Sequence, residues 1–338
     1  MGYSPDAVSS RMSDDPQRLK HGSPRREQPM IRETFQQDSR VLAAFTAMVF
    51  IGGTNFVAVR LSDRGLAPLY GAGIRFLGAA VLLYLYVALR GIALPTRAQL
   101  KGTLLYGVLG FAASYAFAYL ALVSLSSGVA AVIMGSVPLI TLLLAVAHGV
   151  ERFRLRGLVG ATIAIAGIII LVGAPTKAHI PVGSLFLMLG AAFSASESGI
   201  VLKKYPTGHP MATNALAMAV GGILLLGLSL VSGEHWSLPA GPATWASLTY
   251  LVLLGSIGLF ALFLFALKRW TASRVSYMFV LTPIIASILG AALAGESVTA
   301  ATIVGGIIVL FGVYVGALSR SSSPEPRLAR AKEQAARA

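Results

Sequence analysis

Ten long apolar blocks constrain this chain more than any other feature. They run at approximately 41–61, 69–89, 100–122, 127–149, 157–173, 183–202, 211–231, 244–266, 275–294 and 302–318. A run of about 20 apolar residues crosses a hydrocarbon core of about 30 Å as a helix rising 1.5 Å per residue. Helices are the default because a spanning segment must satisfy its own backbone hydrogen bonds. The expected fold is therefore an all-α integral membrane protein of ten transmembrane helices.

The charges orient those helices. Of 338 residues only 12% are charged, against 56% hydrophobic, where a soluble domain carries roughly a quarter charged. The net charge of +14 would suit an anionic partner such as nucleic acid if the basic residues were clustered. They fall instead between apolar blocks: Arg90, Arg97 and Lys101; Arg152, Arg154 and Arg156; Lys203 and Lys204; Lys268, Arg269 and Arg274. The alternate connections hold only Arg64, with Arg60 just before it, and Lys177. By the positive-inside rule both termini and every even connection are cytoplasmic, in a multi-pass cell (inner) membrane protein whose partner is the lipid bilayer, not nucleic acid. Residues 1–40 mix Arg, Asp, Gln, Ser and Pro and read as a disordered cytoplasmic tail. No apolar stretch follows the early basic residues soon enough for a signal peptide. Met30 opens a lead-in to the first block and is an alternative start. Residues 319–338 form a second cytoplasmic tail. The chain has no cysteine, which excludes disulfides, thiolate metal sites and cysteine nucleophiles.

The chain also repeats itself. At an offset of 145 residues Pro138 falls on Pro283, Glu151 on Glu296, Gly160 on Gly305 and Gly167 on Gly312, four in-register matches that indicate duplication. Each half holds five helices, an odd number, so the copies must lie oppositely in the membrane. The charges agree: Glu151 is followed by Arg152, Arg154 and Arg156, and Glu296 by Ser297, Val298 and Thr299. Two inverted five-helix repeats, 41–173 and 183–318, are the architecture of secondary transporters, with substrate bound near midplane between them.

The motifs resemble the EamA branch of the drug/metabolite transporter superfamily. Gly53-Thr54-Asn55-Phe56-Val57 is similar to that family's Trp-Gly-Ser-Asn-Phe-Val opening, with Gly52 where the tryptophan stands. Pro68 and Arg75 match a proline before, and an arginine within, the second helix. Pro138, Glu151-Arg152, Gly160 and Gly167 match the end of the repeat unit, and Pro283, Gly295-Glu296, Gly305 and Gly312 repeat it. The resemblance covers about 41–318 and implies ten helices, export or exchange of small metabolites, and no ATP hydrolysis. Independently, no Gly-Lys dipeptide occurs, so a P-loop is absent.

Ionisable groups inside a bilayer are costly and tend to mark function. Only Arg75 and Glu197 lie away from helix ends. Arg75 is either an anchor for a substrate carboxylate or a structural arginine that snorkels outward or bonds carbonyl groups of neighbouring helices. Glu197 is either a proton or ammonium acceptor or a partner of Lys203 or Lys204, whose spacing fits one helix face poorly. Asn55, the repeat counterpart of Glu197 when Pro68 is aligned with Pro210, is a cavity amide or an interhelical bond. Tyr115 and Tyr119, at i and i+4, line a pocket with Tyr277 or pack in the core. Pro138 and Pro283 each remove an amide donor, freeing the carbonyls of Met134 and Phe279, as a hinge or gate or as passive kinks. Glu151 and Glu296 cap or pair locally, and glycine pairs such as Gly312 and Gly316 permit close helix contact.

An intramembrane enzyme would need clustered His, Asp or Glu, but the five histidines, at 21, 148, 179, 209 and 235, are dispersed. No Gly-x-Ser-x-Gly or His-Glu-x-x-His element occurs. The reading is a non-enzymatic secondary transporter without cofactor or metal. Its expected cargo is amino acids or related zwitterions, with proton coupling as an option. Carriage of neutral or anionic solutes such as sugars or drugs is the alternative, and a receptor the remote one.

Overall fold

The computed structural model describes residues 27–149, 155–173, 181–239, 241–270, 272–276 and 278–315. Among these every regular element is helical: α1 Glu27–Ser62, α2 Pro68–Leu89, α3 Arg97–Leu122, α4 Ser127–Ala147, α5 Leu155–Gly173, α6 Val182–Lys204, α7 Pro210–Val231, α8 Pro242–Leu267, α9 Ala272–Ser276, α10 Met278–Ala294 and α11 Ala300–Val313. Seven of them are long and apolar enough to cross a membrane: α1 from Ser39, α2, α3, α4, α6, α7 and α8. Met278–Ala294 and Ile303–Gly312 are shorter apolar helices. α1 begins at Glu27, inside the stretch that composition reads as a tail; Glu, Gln, Arg and Met there are good helix formers even without an apolar face. Residues up to Leu42 form a unit of their own, and the helical body that holds the cavity begins at Ala43.

Local chemistry sets the helix boundaries. Pro68, Pro210 and Pro242 occupy first-turn positions, where a missing N–H costs nothing. α3 starts with a capping box between Thr96 and Gln99, and α4 with Ser126 accepting from the Val129 amide. Gly91 and Gly233, at φ 59° and 69°, end α2 and α7 in the left-handed conformation that glycine adopts without strain.

Each of three helices packs extensively against the helix at the corresponding place in the other half: α2 on α7, α4 on α10 and α5 on α11. The α5–α11 crossing explains the repeated glycines. A Cβ on Gly312 would lie 2.5 Å from the Ala164 nitrogen and 2.7 Å from the Gly160 carbonyl; one on Gly167 would lie 2.7 Å from the Val309 nitrogen and 2.9 Å from the Gly305 carbonyl. Only hydrogen fits at these points, so the backbones touch.

Other paired features appear in both halves. α3 and α8 each contain a π-helical stretch, Gly107–Ala113 and Leu253–Gly258. Arg60 donates to the carbonyls of Leu122 and Leu125, and Lys203 to those of Leu267 and Trp270, 145 residues further along in each case. A cation at the end of α1 or α6 thus caps the last carbonyls of α3 or α8.

The two prolines act differently. α4 is broken at Gly135 and Ser136 into Ser127–Met134 and Val137–Ala147, with Pro138 in the first turn of the second piece. Pro283 lies inside a continuous α10. There the Thr282 hydroxyl donates to the Phe279 carbonyl at 3.1 Å, replacing the donor that proline lacks.

Candidate functional site

A cavity lies among α1, α2, α3, α4, α6, α8, α9 and α10, with about 130 Å³ open to the centres of water-sized molecules. Most of its wall is apolar or aromatic, including Phe56, Tyr106, Tyr115, Tyr119, Phe260, Phe263 and Phe279. Arg75 is the one lysine, arginine or carboxylate side chain among the described residues lining it.

Arg75 is completely buried. Its Nε donates to Ser256 Oγ at 2.8 Å, Nη1 to the Tyr119 hydroxyl at 3.2 Å and Nη2 to the Gly255 carbonyl at 2.9 Å. The guanidinium carbon stands 4.9 Å from the Phe76 ring centroid and 5.1 Å from that of Tyr115, in cation–π range. A guanidinium keeps its charge in proteins, and among the described residues no carboxylate pairs with this one. Hydrogen bonds to a charged group are worth about 1.5–3 kcal/mol each, so three of them offset much of a desolvation cost of several kcal/mol.

The π stretch of α8 supplies the acceptor. The Leu259 amide bonds the carbonyls of Leu254 and Ser256, so it skips that of Gly255. The Gly255 carbonyl instead accepts from Arg75 Nη2 and, at 3.2 Å, from Asn55 Nδ2. Asn55 and Arg75 therefore sit side by side on one backbone oxygen. Asn55 Oδ1 is buried and has no partner, leaving an unused acceptor beside a cation on the cavity wall. A Cβ on Gly255 would collide with Asn55 Oδ1, so only glycine lets the two helices approach here. α3 has the matching feature: the Ser114 amide bonds Leu109 and skips Gly110, which also lines the cavity.

The structure brings Asn55, Arg75, Tyr115 and Tyr119 together on this cavity. Glu197 is not among the lining residues, although Ser196 and Ser198 on either side of it are. Its carboxylate meets His148 Nε2 at 2.9 and 3.1 Å, at the far end of α4, while Lys203 is used on carbonyls. Tyr277 and Glu151 lie outside the described residues. Pro138 and Pro283 do not line the cavity, but Met134, Val137, Phe279 and Thr282 beside them do. Gly255 and Ser256 are absent from the sequence reading, although Gly110 and Gly255 share its 145-residue offset. Glu296, expected to cap or pair locally, accepts from the first amide of α4, that of Ser127, at 3.0 Å and from the Ser127 hydroxyl at 2.9 Å, and pairs with Arg60 Nε at 3.0 Å, all groups remote in sequence. This ties the ends of α1 and α3, the start of α4 and the α10–α11 connection together. No group of three His, Cys, Asp or Glu able to hold a metal occurs among the described residues.

The EamA-like transporter family matches the chain twice, over residues 39–173 and 182–317. The chain belongs to that family. It is 30% identical over 296 residues to the uncharacterized inner membrane transporter YedA of Escherichia coli K12, covering 86% of this chain and 94% of that protein. A probable amino-acid metabolite efflux pump of Salmonella typhimurium is 26% identical over 281 residues, 79% of this chain and 91% of that protein. One solved crystal structure superposes with a TM-score of 0.60 at 18% identity, covering 83% of this chain and 98% of that one, a likeness of fold alone. The protein is thus an EamA-family membrane transporter, not an enzyme.

Proposed function

We propose that this EamA protein exports amino acids or related zwitterions by alternating access, without ATP. The observation that carries this reading is the adjacency of Arg75 and Asn55 on the Gly255 carbonyl, facing a cavity between the repeats. A zwitterion needs donors for its carboxylate and an acceptor for its ammonium. Arg75 has a second N–H on each terminal nitrogen, and Asn55 Oδ1 is unpartnered. The aromatic wall of Tyr115, Tyr119 and Phe260 takes the remaining apolar part. The name of the Salmonella relative points the same way.

In this reading ten helices cross the inner membrane as two inverted repeats, 41–173 and 183–318, with the tails 1–40 and 319–338 and both termini cytoplasmic. The α1–α2 connection then faces the outside. The α4 break before Pro138 and the Pro283 site in α10 are the hinge points, because both border the cavity and interrupt the amide ladder. Glu197, paired with His148 and off the cavity wall, serves the cytoplasmic end.

Flux of a labelled amino-acid panel through purified protein in liposomes tests the proposal. Movement above empty liposomes, lost in Asn55→Ala and Arg75→Gln, supports it; movement of none of them rejects it. A second reading, carriage of anionic solutes with an apolar body, is favoured by one observation: no carboxylate lines the cavity among the described residues, so nothing there neutralises Arg75. Flux of monocarboxylates but not amino acids would select it.

A further inference from the structure

Asp63 is the first residue after α1 and reads in the sequence as a solvated loop acid. The structure half-buries Asp63 and hides one of its two carboxyl oxygens. Oδ2 is inaccessible and has no hydrogen-bond partner. Oδ1 has only a long contact of 3.5 Å from the Ser62 hydroxyl. Three groups on neighbouring elements face it: Arg60 on α1, Glu234 in the α7–α8 connection and Tyr119 on α3. None of them makes a hydrogen bond to it. Arg60 is committed to Glu296 and to the carbonyls of Leu122 and Leu125. Glu234 caps α2 through the amides of Leu69 and Tyr70 and accepts from Ser229, so its fixed negative charge opposes a second one nearby. The Tyr119 hydroxyl accepts from Arg75 on the cavity wall, which leaves its own O–H able to donate.

We propose that Asp63 is a proton-binding site that couples the pH outside to closure of this end of the transporter. With the proton on, Asp63 is neutral, its lack of partners is tolerable, and Arg60 stays on Glu296, holding α1, α3, α4 and the α10–α11 connection shut. With the proton off, the carboxylate competes with Glu296 for Arg60 or draws the Tyr119 hydroxyl away from Arg75. Either move loosens the closed end. Burial, with the Glu234 charge adding to it, pushes the Asp63 carboxyl well above its usual range against the weaker opposing pull of Ser62 and Arg60. The closed form therefore binds more protons than an open form with Asp63 in water, so rising pH disfavours closure. Between the ordinary and the raised pKa, one linked proton changes the closed-to-open ratio about tenfold per pH unit. The inference rests on the alternating-access reading, since a static channel would have no second state to favour.

Infrared difference spectra of the purified protein, with aspartate labelled by carbon-13, test the first half without any substrate. An aspartic acid carbonyl band should persist above the usual aspartate range and vanish in Asp63→Asn. Absence of that band in the unsubstituted protein would overturn the proposal. For the second half, the chain lacks cysteine, so spin labels can be placed directly at the exposed Val123 and Val298. As pH rises above the ordinary aspartate value of about 3.9, the closed-to-open ratio should fall about tenfold per unit through the transition. It should stay constant in Asp63→Asn and titrate again in Asp63→Glu. A pH response retained in Asp63→Asn would assign the switch elsewhere. A protein that moves no amino acid yet shows both signals would reject the substrate reading and leave this one standing.

Discussion

Replacing Gly312 with alanine puts a methyl group where two backbones meet. The new Cβ would lie 2.5 Å from the Ala164 nitrogen, against an optimal separation of about 3.5 Å. Neither contact atom belongs to a flexible side chain, so α5 and α11 must separate by about 1 Å along their crossing. Overpacking of this kind costs about 1–3 kcal/mol. Alanine's helix propensity returns up to about 1 kcal/mol, so the net loss should be about 1–2 kcal/mol. Gly167→Ala, facing the Val309 nitrogen and the Gly305 carbonyl on the other side of the same crossing, should cost the same. Gly227 supplies the control: a Cβ there meets nothing within 4 Å, so Gly227→Ala should be neutral or stabilising. Unfolding of the purified protein in mixed micelles with rising dodecyl sulfate, followed by tryptophan fluorescence, measures all three. If Gly312→Ala unfolds at the same detergent fraction as Gly227→Ala, the backbone contact does not hold these helices.

The cavity and its surroundings give three further expected outcomes. Arg75→Lys keeps the charge but cannot make the three divergent bonds to Ser256, Tyr119 and Gly255; flux should fall at least about tenfold, as losing one charge-assisted bond of ~1.5 kcal/mol implies. Gly255→Ala should displace Asn55 and lower substrate affinity by a similar factor, read in liposome flux as a raised half-saturation concentration. For His148 and Glu197, a double-mutant cycle on stability should give a coupling of no more than about 1 kcal/mol because the pair is partly exposed. A coupling indistinguishable from zero would refute the pairing.

The helical architecture was legible because apolar runs of this length have few other solutions, and the repeated glycines because their spacing survived the duplication. Arg75 stood out as a charge in apolar surroundings, and its neighbour Asn55 through the opening motif. What binds them did not. The Gly255 carbonyl is a backbone group, and nothing in the residues Leu253–Gly258 announces that the amide ladder shifts there. Glu197 was weighed against lysines on its own helix, whereas its partner, His148, comes from a different one. Asp63 reads as a loop residue; only the packing of three elements around the turn hides one of its carboxyl oxygens. In each case the missing information is a long-range juxtaposition, which local periodicity does not carry.

The π stretch in α3 also shifts the angular phase of the helix. Tyr106 and Tyr115 lie on either side of it, and at 3.6 residues per turn their numbering would place them about 180° apart. Absorbing one extra residue reduces this to about 80°, and both rings reach the same cavity. The same residues wound as an uninterrupted α-helix would keep the span and its hydropathy, yet point one of these tyrosines out of the cavity. The shift in the amide ladder at that segment therefore shapes the cavity wall as much as any side chain it carries.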